Sequence, residues 1–219
     1  MEGRYYCSQD CATNSNNHDP STEEEVAKDG GLSKRAAQIA IVCECIDQCF
    51  SFDMWCYDFA RFVDKEDMMA GLHVAFDLMT VTTRLFSFVA LRKLDEFLRS
   101  TKPQSKSDDL IAGALGVDRD HVMGGAGRRF LTSTEREDIN KRAAHLTEKL
   151  TLEDETEGDL REIVERSRPI LLRLLAELRK ADIDGEANHW LDKTDALLKY
   201  AGEQADRVRE EMSARGNAS

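Results

Sequence analysis

Apolar residues recur along this chain at steps of three and four, the spacing that lays a stripe along one side of an α-helix. Ala37, Ala40, Ile41 and Ile46 open the pattern, which runs on towards Trp55, Phe59 and Phe62 with a break near Phe50-Ser51. Ser33, ahead of that run, fits an N-cap. A second helix is predicted from about Asp67 to Arg99. Val74, Leu78, Val81, Leu85, Phe88 and Val89 mark its expected buried side, and Leu94, Phe97 and Leu98 continue it. At ~1.5 Å per residue it spans roughly 50 Å and is the expected spine of the fold.

Pro103 and the polar run after it read as a linker. Asp109 to Leu115 reads as a short helix, and Gly116 to Thr132 as irregular and glycine-rich. Thr134 followed by Glu137 fits a capping box opening a helix to about Lys149. After the acidic loop Glu153 to Asp159, a helix runs from about Leu160 to Ala181, where Pro169 is expected to kink or restart it. Asp182-Ile183-Asp184-Gly185 is a turn. The last helix runs from Glu186 to about Arg209, carrying Trp190, Leu191, Leu198, Ala201 and Val208. Pro20, Pro103 and Pro169 are the only prolines, and no run alternates β-branched and aromatic residues, so strands are not expected. The predicted fold class is all-α, a bundle of five to seven helices, with residues 33–212 forming a single α-helical domain.

Composition adds a tail and removes some functions. Residues 1–32 are rich in Asn, Ser, Thr, Asp and Glu, bury little, and read as disordered. Over the 219 residues, 41% are hydrophobic, enough for a core, and 33% are charged. The formal net charge of −12 argues against a tight, non-specific nucleic-acid binder, because phosphate affinity comes from neutralising phosphates. Contact with nucleic acid is left to a local basic patch. The most apolar window, Val81 to Leu91, is short and contains Arg84, so no membrane partner is expected. The polar start, Met-Glu-Gly-Arg-Tyr-Tyr-Cys, does not read as a signal peptide. The expectation is a cytoplasmic protein whose six cysteines are reduced thiols.

Three groups of residues could carry chemistry. In Asp138-Ile139-Asn140-Lys141-Arg142-Ala143-Ala144-His145, the cations Lys141 and Arg142 share a helical face with His145. Neighbouring cations favour a neutral imidazole, which suits a general base. Taken alone, the segment equally fits a surface helix in which Asp138 and Arg142 form an i,i+4 pair. The second group is a polar stripe on the long helix: His73, Asp77, Thr80, Arg84 and Ser87, at steps of four, three, four and three. We read it as an exposed or interface face; an internal Arg84 would require a carboxylate partner. The third is cysteine. Cys45, Cys49 and Cys56 share a stripe, Cys43 points elsewhere, and Cys7 and Cys11 lie in the tail. Without Cys-x-x-Cys hooks they read as small buried hydrophobes, so no metal and no cofactor is expected. Gly124-Gly125-Ala126-Gly127-Arg128-Arg129 lacks the Gly-Lys-Ser/Thr ending of a phosphate loop, but with Arg136, Lys141 and Arg142 it is the best local basic patch. Glu186-x-x-His189 has no second copy to complete a two-metal site, and Asp182-x-Asp184-Gly185 is too short for a calcium loop.

The Asn140-to-His145 segment resembles the Arg-Asn-Lys-x-x-Ala-His stretch of the HEPN-domain superfamily, particularly its abortive-infection AbiU2-like branch. The long helix with Arg84-Leu85-Phe86 and Arg92 to Leu98 is similar in style to the earlier long helix of that branch. The resemblance covers about residues 60–180 and implies an all-α bundle and a metal-independent RNase. In that chemistry an arginine stabilises charge on the phosphate and a histidine handles protons at the 2′-hydroxyl. The chain departs from the motif at the arginine: the slots six and five residues before His145 hold Ile139 and Asn140. The resemblance therefore implies the fold more than the activity.

From these readings the expected function is a HEPN-like protein with a degraded motif, binding RNA or a partner protein in bacterial defence or a toxin–antitoxin setting. Arg128, Arg129, Asn140, Lys141 and Arg142 are the binding candidates, and His145 and Arg84 the catalytic ones. One alternative is a non-enzymatic helical module that forms a homodimer through apolar helix faces. Another is a residual RNase that uses His145, with Arg84 or Arg142 as the cation.

Overall fold

The computed structural model describes residues 32–58, 70–99, 110–144 and 155–216. The expected tail, Phe59, Phe62 and His145 lie outside these residues. The chain divides into two units, Met1–Ser33 and Lys34–Ser219, and the description below concerns the second. Among the described residues there are seven α-helices and no strand. They are α1 (Lys34–Cys49), α2 (Ser51–Asp58), α3 (Ala70–Arg99), α4 (Arg119–Met123), α5 (Ser133–Ala144), α6 (Glu155–Ala181) and α7 (Asn188–Gly216). One 3-10 turn, Ala112–Leu115, precedes α4. The all-α bundle expected from periodicity is what forms.

Helix α1 is the centre of the bundle. Its buried residues, Ala36, Ile39, Ala40, Val42, Cys43, Cys45, Ile46 and Cys49, are spread round the helix rather than along one stripe. A helix that is apolar on most sides must be surrounded, and α3, α6 and α7 all pack on α1. Helix α6 shows the opposite pattern. Leu160, Ile163, Val164, Leu171, Leu174, Leu175 and Leu178 are buried at steps of three and four, while Glu162, Arg166 and Arg179 stay outside. Pro169 is exposed within this helix, which does not restart there. Helix α7 adds Leu191, Leu198, Ala201 and Ala205 to the core.

The connections are set by caps. The break foreseen at Phe50-Ser51 is real: α1 ends at Cys49 and α2 starts at Ser51. The stretch read as irregular contains α4, which opens where the Asp118 side chain accepts from the His121 N–H at 3.1 Å. It closes on Gly124 in the left-handed conformation, φ 73°, which a side chain would strain. The capping box of α5 is built two residues before the expected one. The Glu135 N–H donates to Thr132 Oγ1 at 3.2 Å, and the Thr132 N–H donates to Glu135 Oε2 at 2.7 Å. Thr134-Glu137 has the same spacing but falls inside the first turn, because Phe130 and Leu131 are buried just ahead of Thr132.

Buried polar residues tie the helices together. Thr194 Oγ1 donates to Asp47 Oδ1 at 2.6 Å between α7 and α1. Arg136 on α5 holds the buried Asp95 of α3 with two bonds, 2.7 and 3.2 Å long.

Candidate functional site

The polar stripe of α3 does not face solvent as expected over its C-terminal half. Arg84 is 5% exposed and Ser87 fully buried. Both, with Thr80, point at α2. The Trp55 indole N–H donates to Thr80 Oγ1 at 3.0 Å, and the Arg84 guanidinium lies 4.9 Å from the centroid of the Phe52 ring. Ser87 Oγ accepts the Phe52 N–H at 3.3 Å and lies 3.2 Å from the Gln48 carbonyl, which accepts its hydroxyl. The helix break leaves an orphan N–H at the start of α2 and an orphan carbonyl at the end of α1, and one serine serves both. His73 is half-buried and Asp77 exposed, so only the N-terminal part of the stripe reaches the surface.

Docking the stripe inward turns the other side of α3 outward. Val74 and Leu78, expected in the core, are 69% and 65% exposed. Leu72, Met79 and Phe86 are also exposed, and Val81, Leu85 and Val89 are only half-buried. Gly71, Ala75, Leu78, Thr82, Leu85 and Val89 follow one another at alternating steps of four and three, the seam spacing of paired helices. Leu72–Arg99 is also long and apolar enough to cross a membrane by length and composition, with mean hydropathy 1.5 in its best window, 33% of which is buried in the bundle.

The remaining candidates are dispersed. Arg128 and Arg129 are exposed in the loop before α5. Lys141 is exposed and pairs with Glu137 at 3.0 Å, which raises its pKa. Asn140 is half-buried, and its Oδ1 has no hydrogen-bond partner among the described residues. Arg142 lies 5.6 Å from the centroid of the Phe88 ring and lines a cleft of about 150 Å³ with Glu135, Asp138 and Glu162. Three carboxylates against one guanidinium make that cleft unattractive to phosphate. Arg129 instead faces Arg119 and Arg136 across a different cleft. Sequence reasoning passed over Arg119 and Asp95. Asp95 had a readable signal, because it shares the inward stripe of Leu91, Leu94 and Leu98.

The four described cysteines belong to the core or its edge. Cys43, Cys45 and Cys49 are buried, Cys56 is half-buried, and all four are free thiols. Burial pushes the Cys43 thiol up to about 12 and Cys49 well above the usual range, which favours the protonated thiol at both. Among the described residues no group of three His, Cys, Asp or Glu side chains could hold a metal ion. No family model, curated protein or solved structure matches the chain.

Proposed function

We propose that this protein is a helical interaction module that pairs with a second copy of itself through the outer face of α3. The observation that carries the reading is the run of exposed apolar side chains, Leu72, Val74, Leu78, Met79 and Phe86, on a helix whose polar stripe is buried over its C-terminal half. These side chains offer on the order of 500 Å² per copy, high in the range of the largest apolar patch on a typical monomer. A standard interface takes about 800 Å² per partner, so this face with a polar rim gives a modest, micromolar dimer.

The seam favours an antiparallel pair centred on Thr82. Its N-terminal half carries Gly71 and Ala75, and its C-terminal half Leu85, Phe86 and Val89. Antiparallel pairing sets the small Ala75 opposite Val89, and Leu78 opposite Phe86. A two-fold axis then needs only one self-complementary patch. A bilayer fits the same helix less well, because spanning would pull Arg84, Ser87 and Asp95 out of their buried contacts in the bundle. The net charge of −12 per copy opposes association at low salt, so added salt should strengthen the pair.

Thr82→Cys tests the arrangement in a background carrying Cys7→Ser and Cys11→Ser. An antiparallel pair brings the two introduced thiols within disulfide reach, and mild oxidation should give a covalent dimer that Ala90→Cys does not. Equal cross-linking of both variants, or of neither, would overturn the reading.

A second reading keeps RNA as the substrate. It rests on the resemblance of the Asn140-to-His145 segment to the HEPN stretch, while the three carboxylates that line the Arg142 cleft weigh against it. Incubation with mixed RNA in the absence of metal, beside His145→Ala, decides it. Cleavage lost in the variant favours a residual HEPN-like RNase, and no cleavage by either protein removes the reading.

A further inference from the structure

Four arginines from separate parts of the chain meet at the C-terminal end of α3. Arg99 ends that helix, Arg119 opens α4, Arg129 lies in the loop before α5, and Arg136 is on α5. With Asp95 and Gly127 they line a cleft of about 210 Å³. Two of the guanidiniums are fixed by bonds to the fold. Arg119 donates from Nε to the Leu98 carbonyl at 2.7 Å, from Nη2 to the Arg128 carbonyl at 2.8 Å, and from Nη1 to Asp120 at 3.1 Å. Arg136 is forked onto Asp95. A guanidinium has five N–H donors, so these bonds leave donors over on both. Arg99 and Arg129 are exposed and make no hydrogen bond or ion pair among the described residues.

Among the described residues Asp95 is the only carboxylate lining the cleft, set against four guanidiniums. In a chain of net charge −12, opposite charge is plentiful, yet among the described residues Arg99 and Arg129 are given none; Asp95 and Asp120 answer only Arg136 and Arg119. Clustered cations repel one another, and an oxyanion relieves that repulsion while accepting from planar forks held in place beforehand. We infer that this cleft binds the phosphate group of a small phosphorylated molecule. Its volume is below the roughly 300–1,000 Å³ of sites that enclose a drug-sized ligand. It therefore takes the phosphate and leaves the remainder of the ligand outside. Gly127 lines the open side, where an added Cβ would meet nothing within 4 Å. A long polyanion suits the place less well, because Glu137 and Asp138 are exposed on the same helix as Arg136.

The test is isothermal titration calorimetry of the full chain at constant ionic strength, with inorganic phosphate, pyrophosphate and a single-stranded RNA oligomer as probes. Arg99→Ala and Arg129→Ala are the variants, since neither side chain makes a hydrogen bond or ion pair among the described residues; circular dichroism checks their helix content. Pyrophosphate should bind saturably with Kd below about 1 mM, inorganic phosphate more weakly, and each variant should lose about tenfold. Absence of heat up to about 10 mM pyrophosphate, or unchanged affinity in both variants, would overturn the site. RNA binding tighter than pyrophosphate and equally sensitive to both variants would overturn the small-ligand assignment in favour of a nucleic-acid groove.

Discussion

The Arg84 guanidinium lies 4.9 Å from the centroid of the Phe52 ring, while Phe86, two residues further along α3, turns nearly the opposite way and is 48% exposed. The helix thus carries a cation inside and aromatic surface outside. Inside, Arg84 is in contact with α2 through the ring face, and its long stem fills space between the helices.

Replacing Arg84 with alanine should therefore act on stability. The variant loses a partly desolvated cation–π contact and leaves a cavity, together about 2–3 kcal/mol. Lysine, which keeps the stem and charge but not the planar stacking, should lose less. Urea unfolding of the three proteins measures this. An alanine variant as stable as the wild type would mean that the Phe52 contact holds nothing.

Asp95 and Arg136 form the ion pair that fastens α5 to α3, with side chains 4% and 23% exposed. Breaking a buried pair from one side strands the other charge. Because Arg136 is partly in water, Asp95→Asn should cost about 2 kcal/mol rather than the full penalty. Arg136→Met should cost at least as much, since it leaves the more buried partner. The double variant should lose less than the two single losses combined, and a double-mutant cycle in urea reads the coupling. Strict additivity would show that the two residues act independently.

Asp53 gives the fold a pH dependence. It is 3% exposed, and burial pushes its carboxyl up from 3.8 to about 7 against the pull of Arg161, 3.6 Å away, with Glu165 adding to the rise. The folded state therefore holds a proton that the unfolded chain releases near pH 4. That contribution is complete below pH 4 and is lost as pH rises through about 7. The unfolding free energy should fall across this window with a slope of up to about 1.4 kcal/mol per pH unit. Glu135, held low by its bonds to Arg166 and Thr132, and Glu177, held low by Lys180, act oppositely but only on the acid side of about 4.5. Asp53→Asn should flatten the slope between pH 5 and 7 (about two units) and be the more stable protein at pH 8. Parallel stability curves for wild type and variant would contradict this.

The helices were legible because burial on a helix repeats with the helix period. Lys34–Cys49 and Ala70–Arg99 lie where the apolar steps put them, and the last helix, expected to about Arg209, runs on to Gly216. The sidedness of α3 was not legible. It carries an apolar stripe and a polar stripe at the same spacing, and periodicity does not say which one meets a neighbour. What decides is α2, whose Trp55 indole and orphan Phe52 N–H need polar partners that Thr80 and Ser87 supply. The capping box slipped for a related reason: Thr132-Glu135 and Thr134-Glu137 share one spacing, and the burial of Phe130 and Leu131 selects the first. The arginine cleft joins residues 99, 119, 129 and 136, which only the folded chain brings together.

Self-association through α3 is the central claim, and sedimentation equilibrium measures it most directly. The full chain is compared with a variant carrying Leu78→Glu and Phe86→Glu, at exposed positions where the change leaves the core alone. At about 50 µM in moderate salt the wild type should sediment at twice the monomer mass, more completely as salt is raised, and the variant at the monomer mass with unchanged helix content. A wild type that stays monomeric across the concentration range, or a variant that dimerises as well as the wild type, would contradict the account.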